Sequence, residues 1–147
     1  MTSRRTLILG STSRYRRELL ERLRLPFEVE RPEVDESPLP GESTTELACR
    51  LALAKAQAVA LRRPDAVVIG SDQVAELDGE SIGKPGTHER AVAQLRKMSG
   101  RSVTFQTAVA VACLQTGFSQ SRLASVRVAF RKLTDGEIER YLQAEQP

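Results

Sequence analysis

Residues suited to binding an anion are concentrated between Gly10 and Arg17, where a short apolar run gives way to a helical pattern. Hydroxyl residues fill positions 11–13, so the free backbone N–H groups and positive dipole end of the helix face a polar turn. Arg14, Arg16 and Arg17 fall in the first helical turns, where a cation costs about 0.3–1 kcal/mol. A bound phosphate would offset that cost; a capped surface helix with solvated arginines is the alternative.

A second candidate is Asp72, which follows the apolar run 66–70. Open α/β sheets bind ligands at the carboxyl ends of their strands. A carboxylate at that edge can act as a general base for water or ligate a metal. An ordinary turn-forming aspartate is the alternative.

The loop 32–38 carries a cluster of carboxylates, Glu33, Asp35 and Glu36. Oxygen ligands of this kind suit a hard divalent cation. A solvated acidic loop is the alternative.

Two lysines add positive charge to the same set. Lys55 lies inside a long helical pattern on a side flanked by alanines, and Lys84 lies in a Gly-Lys-Pro loop, where it can meet a phosphate as a point charge. Solvated lysines are the alternative at both positions. Each of these signals is weak alone, but together they predict metal-assisted hydrolysis of a phosphoanhydride, with magnesium held by one or two carboxylates and the phosphates.

Alternating strand and helix patterns place these residues at strand ends and helix starts. We predict strands over residues 6–9, 27–31, 66–70, 74–77, 103–114 and 124–130. We predict helices over residues 14–25, 43–62, 87–98 and 134–144, the second and fourth opening with capping boxes. Because crossover units are mixed with a hairpin, this order predicts an α/β fold, a mixed twisted sheet with helices on both faces.

Composition predicts a cytoplasmic protein. No apolar run approaches the roughly 18 residues of a membrane span, and the N-terminus lacks the apolar segment and cleavage site of a signal peptide. Cys49 and Cys113 are far apart and are expected to be free thiols. The single histidine, His88, argues against a histidine-rich metal site and a Ser-His-Asp triad.

Net charge leaves a nucleic-acid-binding module as a competing hypothesis. The formal charge is +3, which suits either nucleic acid or one polyanionic small molecule. A nucleic-acid surface needs a basic stripe interleaved with aromatics, but aromatic residues make up only 4% of this chain and tryptophan is absent. Acids at 33, 35, 36, 42 and 46 also balance the arginines, so we expect no nucleic-acid partner.

Taken in order, the motifs resemble the Maf family of septum-formation-inhibitor-like nucleoside triphosphate pyrophosphatases. They are LILGSTSRYRR from residue 7, PEVDE from 32, LAKA from 53, VIGSDQV from 68, LDGE from 77, GKP from 83 and LRKMSGR from 95. The resemblance runs from Thr6 to Pro147 and implies a fold like that of the Maf proteins and inosine triphosphatases. It also implies hydrolysis of a nucleoside triphosphate to the monophosphate and pyrophosphate, a divalent cation such as Mg or Mn, and a homodimer.

The resemblance assigns roles residue by residue. Asp72 matches the family's catalytic proton acceptor. The positions that match substrate-binding residues are Ser11, Arg16, Lys55 and Lys84. The positions expected to hold the metal are Asp35, Glu36 and Asp72.

Two positions indicate the substrate branch. The dTTP and UTP branch usually has an arginine before the shared arginine and a threonine after the catalytic aspartate, where this chain has Tyr15 and Gln73. These residues resemble the YceF-like branch, whose substrate is 7-methyl-GTP. An aromatic face suits a cationic methylated guanine, and glutamine offers both a donor and an acceptor to a base edge. Helix packing by Tyr15, and the dTTP or UTP substrate, are the alternatives.

The chain departs from the family pattern in two places. Arg14 stands where family members often have proline. Family members also continue past the position of Pro147 with a motif that helps to select the base. We therefore expect residues 1–147 to form a single Maf-like domain that lacks its C-terminal part. The family name further suggests a link to cell division arrest, although no residue pattern indicates a partner groove.

Overall fold

A computed structural model of the protein describes residues 5–83 and 86–145. Its helices, in chain order, are α1 (Arg14–Glu21), α2 (Thr44–Arg62), α3 (His88–Met98) and α4 (Asp135–Glu145). Its strands are β1 (Leu7–Gly10), β2 (Glu28–Glu30), β3 (Val67–Leu77), β4 (Glu80–Ile82), β5 (Ser102–Cys113) and β6 (Phe118–Ala129).

The strands of these two ranges form one mixed sheet in the order β2-β1-β3-β5-β6, with β4 paired to β3. β1 runs parallel to β2 and β3, while β3, β5 and β6 form an antiparallel ladder. The chain leaves β1 toward β2 on one side and leaves β3 toward β5 on the other. The predicted α/β fold with a mixed sheet is confirmed.

Helix α2 covers one face of the sheet at unusually short range. Alanines recur every fourth residue along its buried side, at positions 48, 52, 56 and 60, and face Ala108 and Ala110 of β5 in the same core. At Gly70 the strand touches the backbone of the helix: a Cβ there would clash with the carbonyl oxygen of Ala52 and lie 2.6 Å from the amide nitrogen of Ala56. Small residues on both sides therefore allow α2 to lie directly on β3.

Helix α1 lies on the opposite face of the sheet from α2. Strand alternation points Ile8 into the core under α2 and Leu9 the other way. Leu9, with Ile69, forms the floor of a cleft whose wall includes Leu20 of α1 and Leu23, which follows the helix. The sheet thus has helices on both faces.

The predicted helix starts are confirmed by their caps. The capping box of α2 joins Ser43 and Glu46, each side chain accepting the other's backbone N–H. The same exchange of hydrogen bonds joins Thr134 and Glu137 at the start of α4. A hydrogen bond from the Arg131 guanidinium, together with that from the Thr134 backbone, lowers the pKa of Glu137 to about 2. Thr87 caps α3 through its hydroxyl.

Three predicted boundaries are wrong. The two strands predicted over 66–70 and 74–77 are one continuous strand, β3 (Val67–Leu77), because Ser71, Asp72 and Gln73 pair with β5. α1 ends at Glu21 rather than near residue 25, and Arg24 adopts a positive φ of 56°. β6 begins at residue 118 rather than 124, because the β5 ladder continues to the turn.

The contact at Gly70 predicts a large penalty for a single methyl group. Gly70→Ala should destabilise the protein by about 1–3 kcal/mol or more, because the added Cβ meets rigid helix backbone rather than a movable side chain. Urea denaturation followed by circular dichroism measures the change.

Gly83→Ala is the matched control, since a Cβ there meets nothing within 4 Å and the residue has no positive φ. We expect the control to stay within about 0.5 kcal/mol of the unmodified protein. Equal stability of the two variants would refute the close approach of α2 to β3.

Candidate active site

The site lies where β1 ends and β3 continues. Leu9 is the last β1 residue that pairs with β3, opposite Ile69, so the following β3 residues extend beyond β1. Asp72 is therefore held by the ladder to β5 on one side and faces an opening on the other. Neighbouring strands whose connections leave in opposite directions form the crevice in which α/β sheets bind ligands. Asp72 was expected just after a strand, with a turn-forming aspartate as the alternative; it lies inside β3, where its backbone is fixed by pairing with β5.

The turn between β1 and α1 is shaped by its own hydroxyl groups. Ser11 is buried, and its Oγ accepts the backbone N–H of Ser13 at 3.0 Å. Ser13 is the N-cap of α1, and its Oγ accepts the backbone N–H of Arg16 at 3.3 Å. These bonds fix the turn at the N-terminus of α1, whose dipole favours an anion.

The three arginines of α1 have different partners. Arg14 and Arg17 each pair at 3.3 Å with a glutamate one turn later, Glu18 and Glu21. Arg16 instead lines the opening, and no carboxylate of the described residues forms an ion pair with it. The structure thus separates one arginine directed at the site from two that serve as surface charge.

Lys55 joins two carboxylates at the centre of the site. Its Nζ lies 3.0 Å from Oδ1 of Asp72 and 2.8 Å from Oε1 of Glu36, and it also donates to the carbonyl oxygen of Ser71 at 3.4 Å. The side chains of Lys55 and Asp72 are only 9% and 10% exposed, whereas that of Glu36 is 53% exposed. A buried lysine held this way fixes the position of the Asp72 carboxylate.

A second set of bonds fastens the acidic loop to α2. Arg50 donates to Glu42 at 2.6 Å and to the carbonyl oxygen of Ser37 at 3.0 Å. The hydrogen bond from Arg50 is the main cause of a lowered pKa at Glu42. This attachment holds the loop where Glu36 reaches Lys55.

The carboxylate of Asp35 binds the backbone of its own loop. Its Oδ1 accepts the backbone N–H of Ser37 at 3.0 Å. This hydrogen bond, assisted by the charge of Arg50, lowers the pKa of Asp35.

The carboxylates only partly match the predicted metal set. Across residues 5–83 and 86–145, no three His, Cys, Asp or Glu side chains converge as a metal cluster. Glu36 and Asp72 do converge, on one ammonium group. Because magnesium usually binds through one or two carboxylates plus substrate phosphates, this pair fits a cation that arrives with the substrate. Metal binding by Asp35 stays a prediction, as does the role of Lys84, which lies outside the described residues.

Two cavities meet at Lys55. One, of about 660 Å³, is polar and runs along the turn and the acidic loop, with Ser11, Thr12 and Arg31 in its wall. The other, of about 650 Å³, runs over the apolar floor beside α1 and is bordered by Asp72. The residues common to both walls are Ser13, Arg16, Glu36 and Lys55. An elongated ligand with one charged and one flat apolar end would fit across this junction.

The two predicted specificity residues border the second cavity. Tyr15 is 68% exposed at the start of α1, and Gln73 lies next to Asp72 on β3. The side-chain amide of Gln73 donates to Oγ1 of Thr107 at 3.0 Å. Exposure of Tyr15 disfavours the alternative that it serves only helix packing.

Sequence reasoning missed Thr107 and Arg31. Thr107 reaches the site only through the antiparallel register that pairs it with Gln73, and no local pattern indicates that pairing. Arg31 directly follows β2, as Ser11 follows β1. If the two predicted strands had been paired in parallel, the sequence would have placed Arg31 beside Ser11.

A family model and several named relatives match this chain over nearly all of its length. The family model described as "Maf-like protein" matches residues 6–147. A Polaromonas protein named "7-methyl-GTP pyrophosphatase" is 73% identical over 143 residues, which are 97% of this chain and 65% of that relative. Proteins of the same name from Albidiferax ferrireducens and Thiobacillus denitrificans are 67% and 58% identical, each over 97% of this chain and over 72% and 71% of their own lengths.

A solved Vibrio cholerae structure aligns with a TM-score of 0.43 at 15% identity, over 97% of this chain and 72% of its own.

The buried Lys55 predicts a specific stability effect. Lys55→Met should destabilise the protein by about 3–5 kcal/mol, because Asp72 is left buried without its counter-charge. Chemical denaturation measures the loss. Adding Asp72→Asn, which removes the stranded charge, should restore much of it.

Lys97→Met provides the control, as Lys97 is an exposed lysine of α3. If Lys55→Met were no more destabilising than Lys97→Met, or if the second change gave no recovery, Lys55 would not be the counter-ion of Asp72.

Proposed function

The chain belongs to the family of Maf-like proteins, and from that premise we propose that it is a nucleoside triphosphate pyrophosphatase acting on 7-methyl-GTP. The reaction hydrolyses a phosphoanhydride bond and yields 7-methyl-GMP and pyrophosphate. The observation that carries the proposal is the ion pair between Asp72 and Lys55, the lysine at which a polar and an apolar cavity meet. Relatives named "7-methyl-GTP pyrophosphatase" at up to 73% identity support it.

The two cavities support one direction for the bound substrate. The phosphate chain lies in the polar cavity, where Ser11 and the N-terminus of α1 supply hydrogen-bond donors and dipole. The base and ribose lie in the apolar cavity. The α-phosphorus then falls at the junction, between Arg16 and Lys55.

Hydrolysis needs a base for water and cations for the developing charge. Asp72 accepts a proton from water as the water oxygen bonds to the α-phosphorus, and the bond to the bridging oxygen of the leaving pyrophosphate breaks. Lys55 keeps the Asp72 carboxylate in place, and Arg16 lies where charge develops on the phosphoryl oxygens. A divalent cation, Mg or Mn, held by Glu36 and Asp72 would neutralise phosphate charge when bound.

Base selection is assigned to Tyr15 and Gln73. The ring of Tyr15 offers a face to a cationic methylguanine, an attraction of about 0.5–2 kcal/mol. The amide of Gln73, oriented by Thr107, can bond to the base edge. A dTTP or UTP substrate is the competing proposal for the same cavity.

The pairing of arginines also bears on nucleic-acid binding. Arg14 and Arg17 are neutralised by Glu18 and Glu21, so α1 presents no continuous basic stripe. This pattern favours one small polyanion over a nucleic acid.

The setting of the enzyme is likewise proposed. Among the described residues, no helix combines the length and apolar character that crossing a membrane requires. A homodimer and a link to cell division arrest follow from the family resemblance and stay predictions. The cytoplasmic location expected from composition and the single domain over residues 1–147 stay predictions as well.

Replacing the proposed base tests the mechanism. Asp72→Asn should lower kcat by about 10²–10⁴-fold while substrate affinity changes little, because the amide cannot accept the proton of water. Pyrophosphate release from 7-methyl-GTP measures kcat, and equilibrium binding measures affinity. Asp65→Asn, an exposed aspartate, is the control. A near-normal rate for Asp72→Asn would remove Asp72 from the role of base.

Specificity tests the assignment of the second cavity. Tyr15→Ala and Gln73→Thr should each reduce the ratio of kcat/KM for 7-methyl-GTP over dTTP, by about 3- to 30-fold, because each removes a contact to the base. Steady-state kinetics with both nucleotides measures the ratio. An unchanged ratio in both variants would mean that the base is selected elsewhere.

A further inference from the structure

Without the charge of Arg31, the charged side chains in the wall of the polar cavity would nearly cancel. Its charged wall residues are the cations Arg16, Arg31 and Lys55 and the carboxylates Glu33 and Glu36. If Arg31 is set aside, two cations face two carboxylates. A triphosphate carries about four negative charges near neutral pH, so the balance of attraction in this cavity depends on Arg31.

Backbone geometry places Arg31 beside the phosphate-binding turn. In the parallel register Gly10 pairs with Glu30, so Ser11 and Arg31 are the next residues of adjacent strands at the same edge of the sheet. The guanidinium of Arg62 donates to the carbonyl oxygen of Arg31 at 2.5 Å. Pro32 follows and restricts Arg31 to extended conformations. The position of Arg31 is thus fixed by bonds that leave its side chain uninvolved.

The guanidinium of Arg31 is not engaged elsewhere. Within residues 5–83 and 86–145, no carboxylate forms an ion pair with it, whereas neighbouring Arg63 pairs with Glu28 at 3.3 Å. Arg31 is exposed to the cavity and borders only the polar one. Its location marks it as a residue for the end of the ligand far from the base.

We propose that Arg31 binds the β- and γ-phosphates of the substrate and holds the pyrophosphate as it leaves. The inference rests on the proposed function, to which it adds a leaving-group residue. When the bond between the α-phosphorus and the bridging oxygen breaks, negative charge builds on the β-phosphate. A planar guanidinium meets such oxygens with two parallel hydrogen bonds, which a lysine cannot reproduce.

Pyrophosphate affinity tests the proposal directly. Arg31→Ala should raise the Kd of pyrophosphate, measured by calorimetry with magnesium, by about tenfold, and Arg31→Lys should restore only part of it. It should also raise KM for 7-methyl-GTP to a similar extent. Binding of 7-methyl-GMP should stay within about twofold, since the monophosphate does not reach Arg31.

Arg14→Ala is the matched control, because it removes the same charge from an exposed arginine that is paired with Glu18 and does not line the polar cavity. If both variants bind pyrophosphate equally well, or if Arg31→Ala weakens the monophosphate as much as pyrophosphate, Arg31 is a surface charge and the proposal fails. These results leave the proposed function intact as long as the unmodified protein still turns over 7-methyl-GTP.

Absence of turnover by the unmodified protein would refute the proposed function instead. In that case the Kd of pyrophosphate still tests whether Arg31 binds phosphate. Tenfold weaker binding by Arg31→Ala than by the unmodified protein would support an anion-binding role for Arg31. Equal binding by the two proteins, or no binding by either, would refute that role.

Discussion

The contact between α2 and Gly70 determines the geometry of everything around it. Side chains normally separate a helix from the sheet that it covers, but here the strand touches the helix backbone at Ala52 and Ala56. The alanines of α2 and β5 are compatible with that approach along the whole interface. This close contact also explains the position of Lys55. Lys55 directly precedes Ala56, and Asp72 lies two residues after Gly70, so the long lysine side chain reaches the Asp72 carboxylate.

The charges of the site are arranged around this fixed lysine. Lys55 holds Asp72 from the core side and Glu36 from the loop side, and Arg50 fastens that loop to the same helix. The proposed function places a divalent cation and a polyphosphate at these two carboxylates, which share one ammonium group. Surface arginines of α1 are neutralised by their own helix, so the unpaired positive charge is directed into the cavity.

Local patterns in the sequence predicted the helices and, apart from β4, the strands of the described residues. They also named several residues that line the two cavities. Capping boxes, strand-end glycines and the hydroxyl turn depend on neighbouring residues, and the predicted mixed sheet with helices on both faces is confirmed. The continuity of β3 through Asp72 was missed because it depends on pairing with β5, more than thirty residues away. Thr107 was missed for the same reason. The metal role of Asp35 stays a prediction, since the bond to Ser37 directs its carboxylate into its own loop.

The central claim is that Asp72 activates water to attack the α-phosphorus at the junction of the two cavities. Transfer of an oxygen isotope from water tests this claim most directly. The protein would hydrolyse 7-methyl-GTP with magnesium or manganese in ¹⁸O-labelled water, and mass spectrometry would locate the label. The account predicts one labelled oxygen in 7-methyl-GMP and unlabelled pyrophosphate. Label in the pyrophosphate, release of single phosphates, or no turnover with either metal would contradict it.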